Sequence, residues 1–208
     1  MNQVRTFPEW EKFYRETPED RIPWMMFELD PYVERSLTQL NLNAGKVLEV
    51  GTGSGIQAIE LAKRGFQVTA TDISHVAVSL ARNNAKEKGV KIDFKQDDLL
   101  NSQLNGEFDL ILDRGCFHCF HTEQIREYVC TVYRLLKSPG YLLLQCRSDL
   151  ESTNVLKNYN APYRYAPKDI EKIFSRQFNI VSIENARYTD YIPGKPTMLF
   201  CILEKSSA

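Results

Sequence analysis

The chain has 208 residues, 43% of them hydrophobic and 25% charged. That balance fits one globular domain and excludes a disordered, collagen-like or coiled-coil chain. The 26 basic and 27 acidic residues leave a formal charge of -1, so no global field draws the protein toward nucleic acid or an anionic membrane.

Residues 1–43 carry two tryptophans (Trp10, Trp24), further aromatics, and prolines at 8, 18, 23 and 31. Five basic residues face eight acidic ones there. The charges are scattered from Arg5 onward and no apolar h-region follows, so no secretory signal is expected. The segment reads as one or two short helices broken by prolines, a cap packed over the rest.

From residue 46 strands and helices alternate. KVLEV (46–50) is a β-branched run followed by glycines, and 56–64 has apolar residues at helical spacing. A strand is expected over 66–73, a helix over 75–89 closed by Gly89, a third strand over 90–96 and a fourth over 108–115. A helix over 122–137, a turn at Pro139-Gly140 and a fifth strand over 141–147 follow. The loop 148–166 leads into a helix over 167–177 that starts on Pro167. Two last strands flank the Ile192-Pro193-Gly194 turn. The expected fold is α/β: a doubly wound, mostly parallel seven-stranded sheet with a C-terminal antiparallel hairpin and a helical N-terminal lid. One domain spans 1–208, with 1–43 as cap and 44–208 as core.

No apolar run approaches the roughly 20 residues of a spanning helix. The five cysteines (Cys116, Cys119, Cys130, Cys146, Cys201) are an odd number and suggest no disulfide framework, so a reducing cytoplasm is the expected compartment.

In open sheets of this kind ligands sit beyond the carboxyl ends of the strands. The sharpest signal there is Val47-Leu48-Glu49-Val50-Gly51-Thr52-Gly53-Ser54-Gly55. Its glycines admit a ligand close to the backbone at a helix N-terminus. A dinucleotide fingerprint would need glycine at 56, where Ile56 stands, and Glu49 would repel a pyrophosphate. A phosphate-free cofactor with a cationic amino acid part fits better. Asp72 ends the second strand, where a carboxylate can accept both ribose hydroxyls. Asp97 and Asp98 end the third, where they can read an adenine amino edge. Each aspartate also has a plain alternative as turn residue or helix cap.

VLEVGTGSG, TATDIS, FKQDDLL and FDLILDRG together resemble the class I S-adenosylmethionine-dependent methyltransferases, over about residues 40–204, which implies a Rossmann-like fold. The resemblance implies that Glu49 and the Gly51, Thr52, Gly53 and Gly55 loop hold the methionine part of the cofactor, S-adenosylmethionine. It implies Asp72 on the ribose, Ile73 against the adenine, and Asp97 at its amino group with Asp98 and Leu99 beside it. Asp113, Arg114 and Gly115 would edge the methionine moiety and the acceptor pocket, and Trp24 is counted with the cofactor-binding residues. Ile22-Pro23-Trp24 with Asp113-Arg114-Gly115 is also similar to the thiopurine and thiol methyltransferase branch, and tellurite-resistance-type enzymes look comparable. That implies a small-molecule acceptor, at sulfur or another soft atom, rather than nucleic acid or membrane. The rival readings are a nucleic-acid or protein methyltransferase and a non-catalytic binding protein of this fold. Oligomeric state is left open.

Cys116-Phe117-His118-Cys119-Phe120-His121 gathers four soft ligands, but no distant pair completes a zinc site, so no metal is expected. His118 is a candidate general base toward the acceptor, with a packed or capping ring as the alternative. Tyr159, Tyr163, Arg164 and Tyr165 in the 148–166 loop are candidates for an acceptor wall closing with Trp10, Tyr14 and Trp24. The acceptor-binding set is therefore Trp10, Tyr14, His118, Tyr159 and Arg164.

Overall fold

The computed structural model describes residues 9–150, 163–187 and 197–206. Among these residues seven strands form one sheet: β1 (Lys46–Val50), β2 (Gln67–Asp72), β3 (Asp93–Gln96), β4 (Phe108–Arg114), β5 (Leu136–Arg147), β6 (Phe178–Arg187) and β7 (Thr197–Lys205). Their order is β3-β2-β1-β4-β5-β7-β6. The first five are parallel, and β7 runs antiparallel between β5 and β6. The strand order reverses between β1 and β4, so the crevice opens beyond Val50 and Arg114.

Among the described residues six α-helices accompany the sheet: α1 (Glu9–Glu16), α2 (Pro31–Gln39), α3 (Ile56–Lys63), α4 (His75–Glu87), α5 (Ile125–Leu135) and α6 (Pro167–Phe174). Apolar residues alternate along the strands and feed two cores. Leu48, Ile111, Leu142 and Leu144 meet Tyr128 and Val132 of α5 and Phe174 of α6 on one face. Val47, Leu110, Leu112 and Leu143 meet α2, α3 and α4 on the other. Burial on both faces explains why β1, β4 and β5 read as near-continuous apolar runs.

The structure differs from the sequence expectations at four places. The fifth strand begins at Leu136, so the preceding helix ends at Leu135. Pro139 and Gly140 lie inside the strand, where the register shifts between Phe108 and Leu110; a proline is tolerated at such an irregularity. The third strand starts only at Asp93. The cap is also shorter than 1–43. Val33 and Leu37 of α2 are buried in the core, and Tyr32 stacks on Phe200 with ring centroids 5.5 Å apart. Residues 31–39 thus belong to the sheet layer.

What remains of the cap, 9–30, is fastened by a buried polar network. Asp30 caps α2 by accepting from the Tyr32 N–H at 2.9 Å. Its Oδ2 takes Arg114 Nε–H at 2.9 Å, and the pair is sealed, with side-chain exposures of 0% and 7%. Gln57 of α3 accepts from the Asp30 N–H at 2.8 Å and donates to the Glu28 carbonyl at 2.9 Å. Asp30→Ala would leave Arg114 buried without its carboxylate and is expected to destabilise the fold by about 3–5 kcal/mol in urea unfolding. Arg114→Met in the same chain should recover much of that loss; no recovery would mean that the pair is not the fastening.

Candidate active site

The loop after β1 is built around Glu49. Its Oε2 accepts from the Thr52 hydroxyl at 2.6 Å and the Ala58 N–H at 3.0 Å, which ties the strand end to the first turn of α3. Gly53 has φ +55, and a Cβ there would lie 2.8 Å from the Tyr14 hydroxyl. A Cβ on Gly51, at φ +65, would lie 2.9 Å from Cys116 Cβ. The glycines therefore let the loop turn while the cap and the segment after β4 press close on either side. Gly55 is the N-cap of α3.

Asp72 ends β2 and is buried. Its Oδ2 accepts from the Gly53 N–H at 3.0 Å and its Oδ1 from the Ser74 N–H at 2.9 Å. Ile73 beside it is half-buried. Just past the neighbouring strand β3, the Asp97 N–H donates to the Asp72 carbonyl at 3.0 Å. Asp97 Oδ2 is buried and has no partner, an acceptor left open where an amino edge can reach it. Asp98 instead caps the short turn Leu99–Asn101, accepting from the Leu100 N–H at 3.1 Å and from the Asn101 side chain at 2.9 Å. Leu99 is buried.

Asp113 is fully buried and saturated by its own loop. Its Oδ1 accepts from the N–H groups of Gly115 (3.0 Å), Cys116 (2.7 Å) and Phe117 (3.2 Å). Its Oδ2 accepts from Phe117 N–H (2.9 Å) and the Tyr128 hydroxyl (2.7 Å). The carboxylate thus shapes the turn after β4 and leaves no lone pair toward a ligand. Arg114, next in the chain, points to the other face, toward Asp30 and the Trp24 carbonyl.

Burial raises three of these carboxylates. Desolvation pushes Glu49 up to about 7 against the lowering bonds from Thr52 and Ala58. It pushes Asp72 up to about 6 against the Ser74 and Gly53 N–H groups, and Asp113 to about 6 against Tyr128 and its loop. His118 moves the opposite way. Burial, with Arg147 nearby, pushes it down to about 3. Its Nδ1 accepts from the Arg147 N–H at 3.2 Å, so the ring proton resides on Nε2. A neutral ring with its free nitrogen already protonated is a weak proton acceptor. The geometry matches a packed ring, the plain alternative to a general base or orienter.

The cap aromatics form one cluster. Phe13 stacks on Trp24 at 5.0 Å, Trp10 meets Trp24 edge-on at 5.8 Å, and Trp24 Nε1–H reaches the Tyr14 hydroxyl at 3.3 Å. The cluster rests on Val76, Ala77 and Leu80 of α4 and against Gly53. Tyr14, Trp24 and the loop are thus brought together, with Trp10 behind. The segment 163–165 stands elsewhere, beside the end of β5. The Tyr163 N–H donates to the His118 carbonyl at 2.8 Å, its hydroxyl bonds His121 Nδ1 at 2.8 Å, and Tyr165 pairs with Ser148. Arg164 is half-buried between them. Tyr159 lies outside the described residues. Among the described residues no three histidine, cysteine, aspartate or glutamate side chains converge as metal ligands. Sequence reasoning misses Asp30 and Gln145. A lone polar residue inside Leu142-Leu143-Leu144-Gln145-Cys146 is the signal that marks the second.

This glycine cradle, acidic strand ends and an open acceptor at Asp97 fit an adenosyl cofactor carrying an amino acid and positive charge. Residues 47–140 match the family described as "Methyltransferase domain". That stretch, from β1 into β5, is thus similar to a methyltransferase domain. It is similar to a protein of Geobacillus sp. (strain WCH70) described as a methyltransferase, 29% identical over 157 residues, covering 74% of this chain and 61% of that one. It is 35% identical over 108 residues to human EEF1A lysine methyltransferase 2, over 47% of this chain and 45% of that one. The chain spans about half to three fifths of the length of these two curated relatives. It is 27% identical over 186 residues to 2-heptyl-1-hydroxyquinolin-4(1H)-one methyltransferase of Mycobacteroides abscessus, over 86% and 79% of the two chains. A solved structure of Burkholderia thailandensis 1,6-didemethyltoxoflavin-N1-methyltransferase, with S-adenosylhomocysteine bound, shares the fold at TM-score 0.77 and 18% identity, over 95% and 86%.

The raised carboxylates predict two opposite pH dependences. Ionising Glu49 and Asp72 works against the fold, so their contribution is full below the ordinary 4.5 and 3.8 and is lost as pH rises through about 6 to about 7. A cationic ligand favours the ionised forms. S-adenosylmethionine affinity should therefore rise between about pH 5 and about pH 8, with protons released on binding near the values of about 6 and about 7. Calorimetry in buffers of different ionisation enthalpy reads this directly, and binding without proton release would contradict it.

Proposed function

We propose that the protein transfers the methyl group of S-adenosylmethionine to a small-molecule acceptor. The observation that carries this is the closed cap: Tyr14 and Trp24 lie against Gly53, and Arg114 clamps Asp30 and the Trp24 carbonyl over the end of β4. A site roofed by the chain's own aromatic segment suits an acceptor that enters whole, and the relatives whose names give heterocyclic substrates agree with that reading.

When bound, the donor supplies an electrophilic methyl on a sulfonium, so no difficult bond chemistry is left to the protein. Glu49 and the Gly51–Gly55 loop would hold its amino acid part, Asp72 the ribose and Asp97 the adenine amino group. Arg114 and Gly115 border the place where methyl and acceptor meet. Asp113 sets that border by holding four donors of its own turn and helix α5. The cap excludes water, and the contribution of the chain is alignment and desolvation.

We further propose a soft acceptor, a thiol or a similar atom. Support comes from His118: buried, pushed down to about 3 and bonded to Arg147 through Nδ1, it is poorly suited to deprotonate an acceptor. A thiol ionises near neutral pH and needs little help. The five free cysteines of the chain suit a reducing compartment such as the cytoplasm, and no helix among the described residues is long and apolar enough to cross a membrane.

The test is labelled S-adenosylmethionine offered with small thiols, phenols, amines, chalcogen oxyanions and a lysine-bearing protein substrate. Label should pass to a small molecule, thiols first; label only on the protein substrate would overturn the reading. With an active thiol, His118→Asn should change turnover less than about 10-fold, whereas a loss of about 10²–10⁴ is what removal of a true base produces.

A further inference from the structure

Gln145 sits in β5 one residue before Cys146, with no exposed surface. Neither its Oε1 nor its Nε2 has a hydrogen-bond partner. Buried amide groups are nearly always satisfied, because each orphaned donor or acceptor carries a desolvation penalty. A leucine would avoid it, as Leu142, Leu143 and Leu144 do in the same strand. The amide is also well placed. Gln145 is in register with Arg114 of β4 on one side and Phe200 of β7 on the other, so the three share one face at the carboxyl end of β4 and β5. Above that face lie the cap residues that Arg114 holds, Trp24 and Asp30, and Tyr32 stacked on Phe200.

We propose that Gln145 is an acceptor-binding residue, and that it selects a planar ring bearing an adjacent N–H donor and C=O or C=S acceptor, a lactam-type edge. The inference rests on the proposed placement of the acceptor at the end of β4, beside which β5 runs. A partner must satisfy both halves of one amide at once. A lactam edge does so with two parallel bonds: its N–H donates to Oε1, and its carbonyl or thiocarbonyl accepts from Nε2. Phe200, in register with Gln145, with Tyr32 stacked on it and Trp24 in the cap, favours a flat, apolar ring body. Gln145 would thus be a positioning group and take no proton in the reaction.

The experiment uses the full chain saturated with S-adenosylhomocysteine and two probes, 2-pyridone and N-methyl-2-pyridone, in which a methyl group replaces the donor hydrogen; Gln145→Met separates the lost bond from the added bulk. Binding is followed by calorimetry and by the ¹⁵N–¹H signals of the Gln145 side-chain amide, identified as those absent from Gln145→Met. The expected result is that 2-pyridone binds one per chain, shifts those signals, and binds at least about 10-fold more tightly than N-methyl-2-pyridone, the scale of a lost hydrogen-bonded contact. In Gln145→Met the two probes should bind alike, with S-adenosylhomocysteine affinity unchanged and thermal stability equal or higher. Equal affinity of the two probes for the natural chain, or unmoved amide signals, would overturn the proposal, and that comparison needs no variant to fold. If S-adenosylhomocysteine itself fails to bind, the methyltransferase reading is at fault; if it binds and 2-pyridone does not, the role given to Gln145 is.

Discussion

The site depends on one buried ion pair. Arg114 leaves the end of β4 and meets a fully buried Asp30, its own side chain nearly sealed from water. Removing two charges from water costs several kcal/mol each, and their attraction repays this only with good geometry and further hydrogen bonds. Both conditions are met: Asp30 also caps α2, and its backbone is held by Gln57 of α3. The pair therefore joins three things that are distant in the chain: the cap, the helix after the glycine loop, and the strand that ends at the acceptor side. A hydrophobic substitute could fill the same volume, but it would not fix the direction in which the cap leaves the sheet.

Around that clamp the protein concentrates carboxylates at strand ends, and it treats them differently. Asp113 is saturated by its own turn, so its part is to set the path of Gly115–Phe117. Asp98 caps a short turn. Glu49 and Asp72 hold the glycine loop and remain raised by burial to about 7 and about 6. Asp97 keeps one buried oxygen open. In the proposed arrangement a cationic amino acid part beside Glu49 would recover part of the desolvation that the fold has already incurred there, while Asp72 and Asp97 would take up neutral hydrogen-bond donors.

Much of this was legible in the sequence because it rests on local chemistry. The alternation of β-branched runs with helical spacing identified all seven strands, and Gly51–Gly55 after KVLEV marked the crevice. Terminal details were less legible. Pro139-Gly140 reads as a turn, yet the strand runs through them at a register shift, a choice made by the neighbouring strand. The reach of the cap was overdrawn because Tyr32, Val33 and Leu37 look like the rest of an aromatic segment until Phe200 and the β1 layer are seen to cover them. His118 follows the β4 loop by three residues, which suggested a base; its burial and its bond from the Arg147 N–H come from a strand 29 residues away and could not be read locally. Gln145 was visible as an odd polar residue in an apolar strand, but only the structure shows that nothing pairs with it.

The most direct test of the central claim, that the crevice beyond β1, β2 and β3 is an adenosyl cofactor site without a pyrophosphate place, is a titration of the full chain with S-adenosylhomocysteine and, separately, with NAD. Saturable binding of one S-adenosylhomocysteine per chain is expected, with no measurable heat from NAD. NAD binding as tightly as S-adenosylhomocysteine, or neither ligand binding, would contradict it.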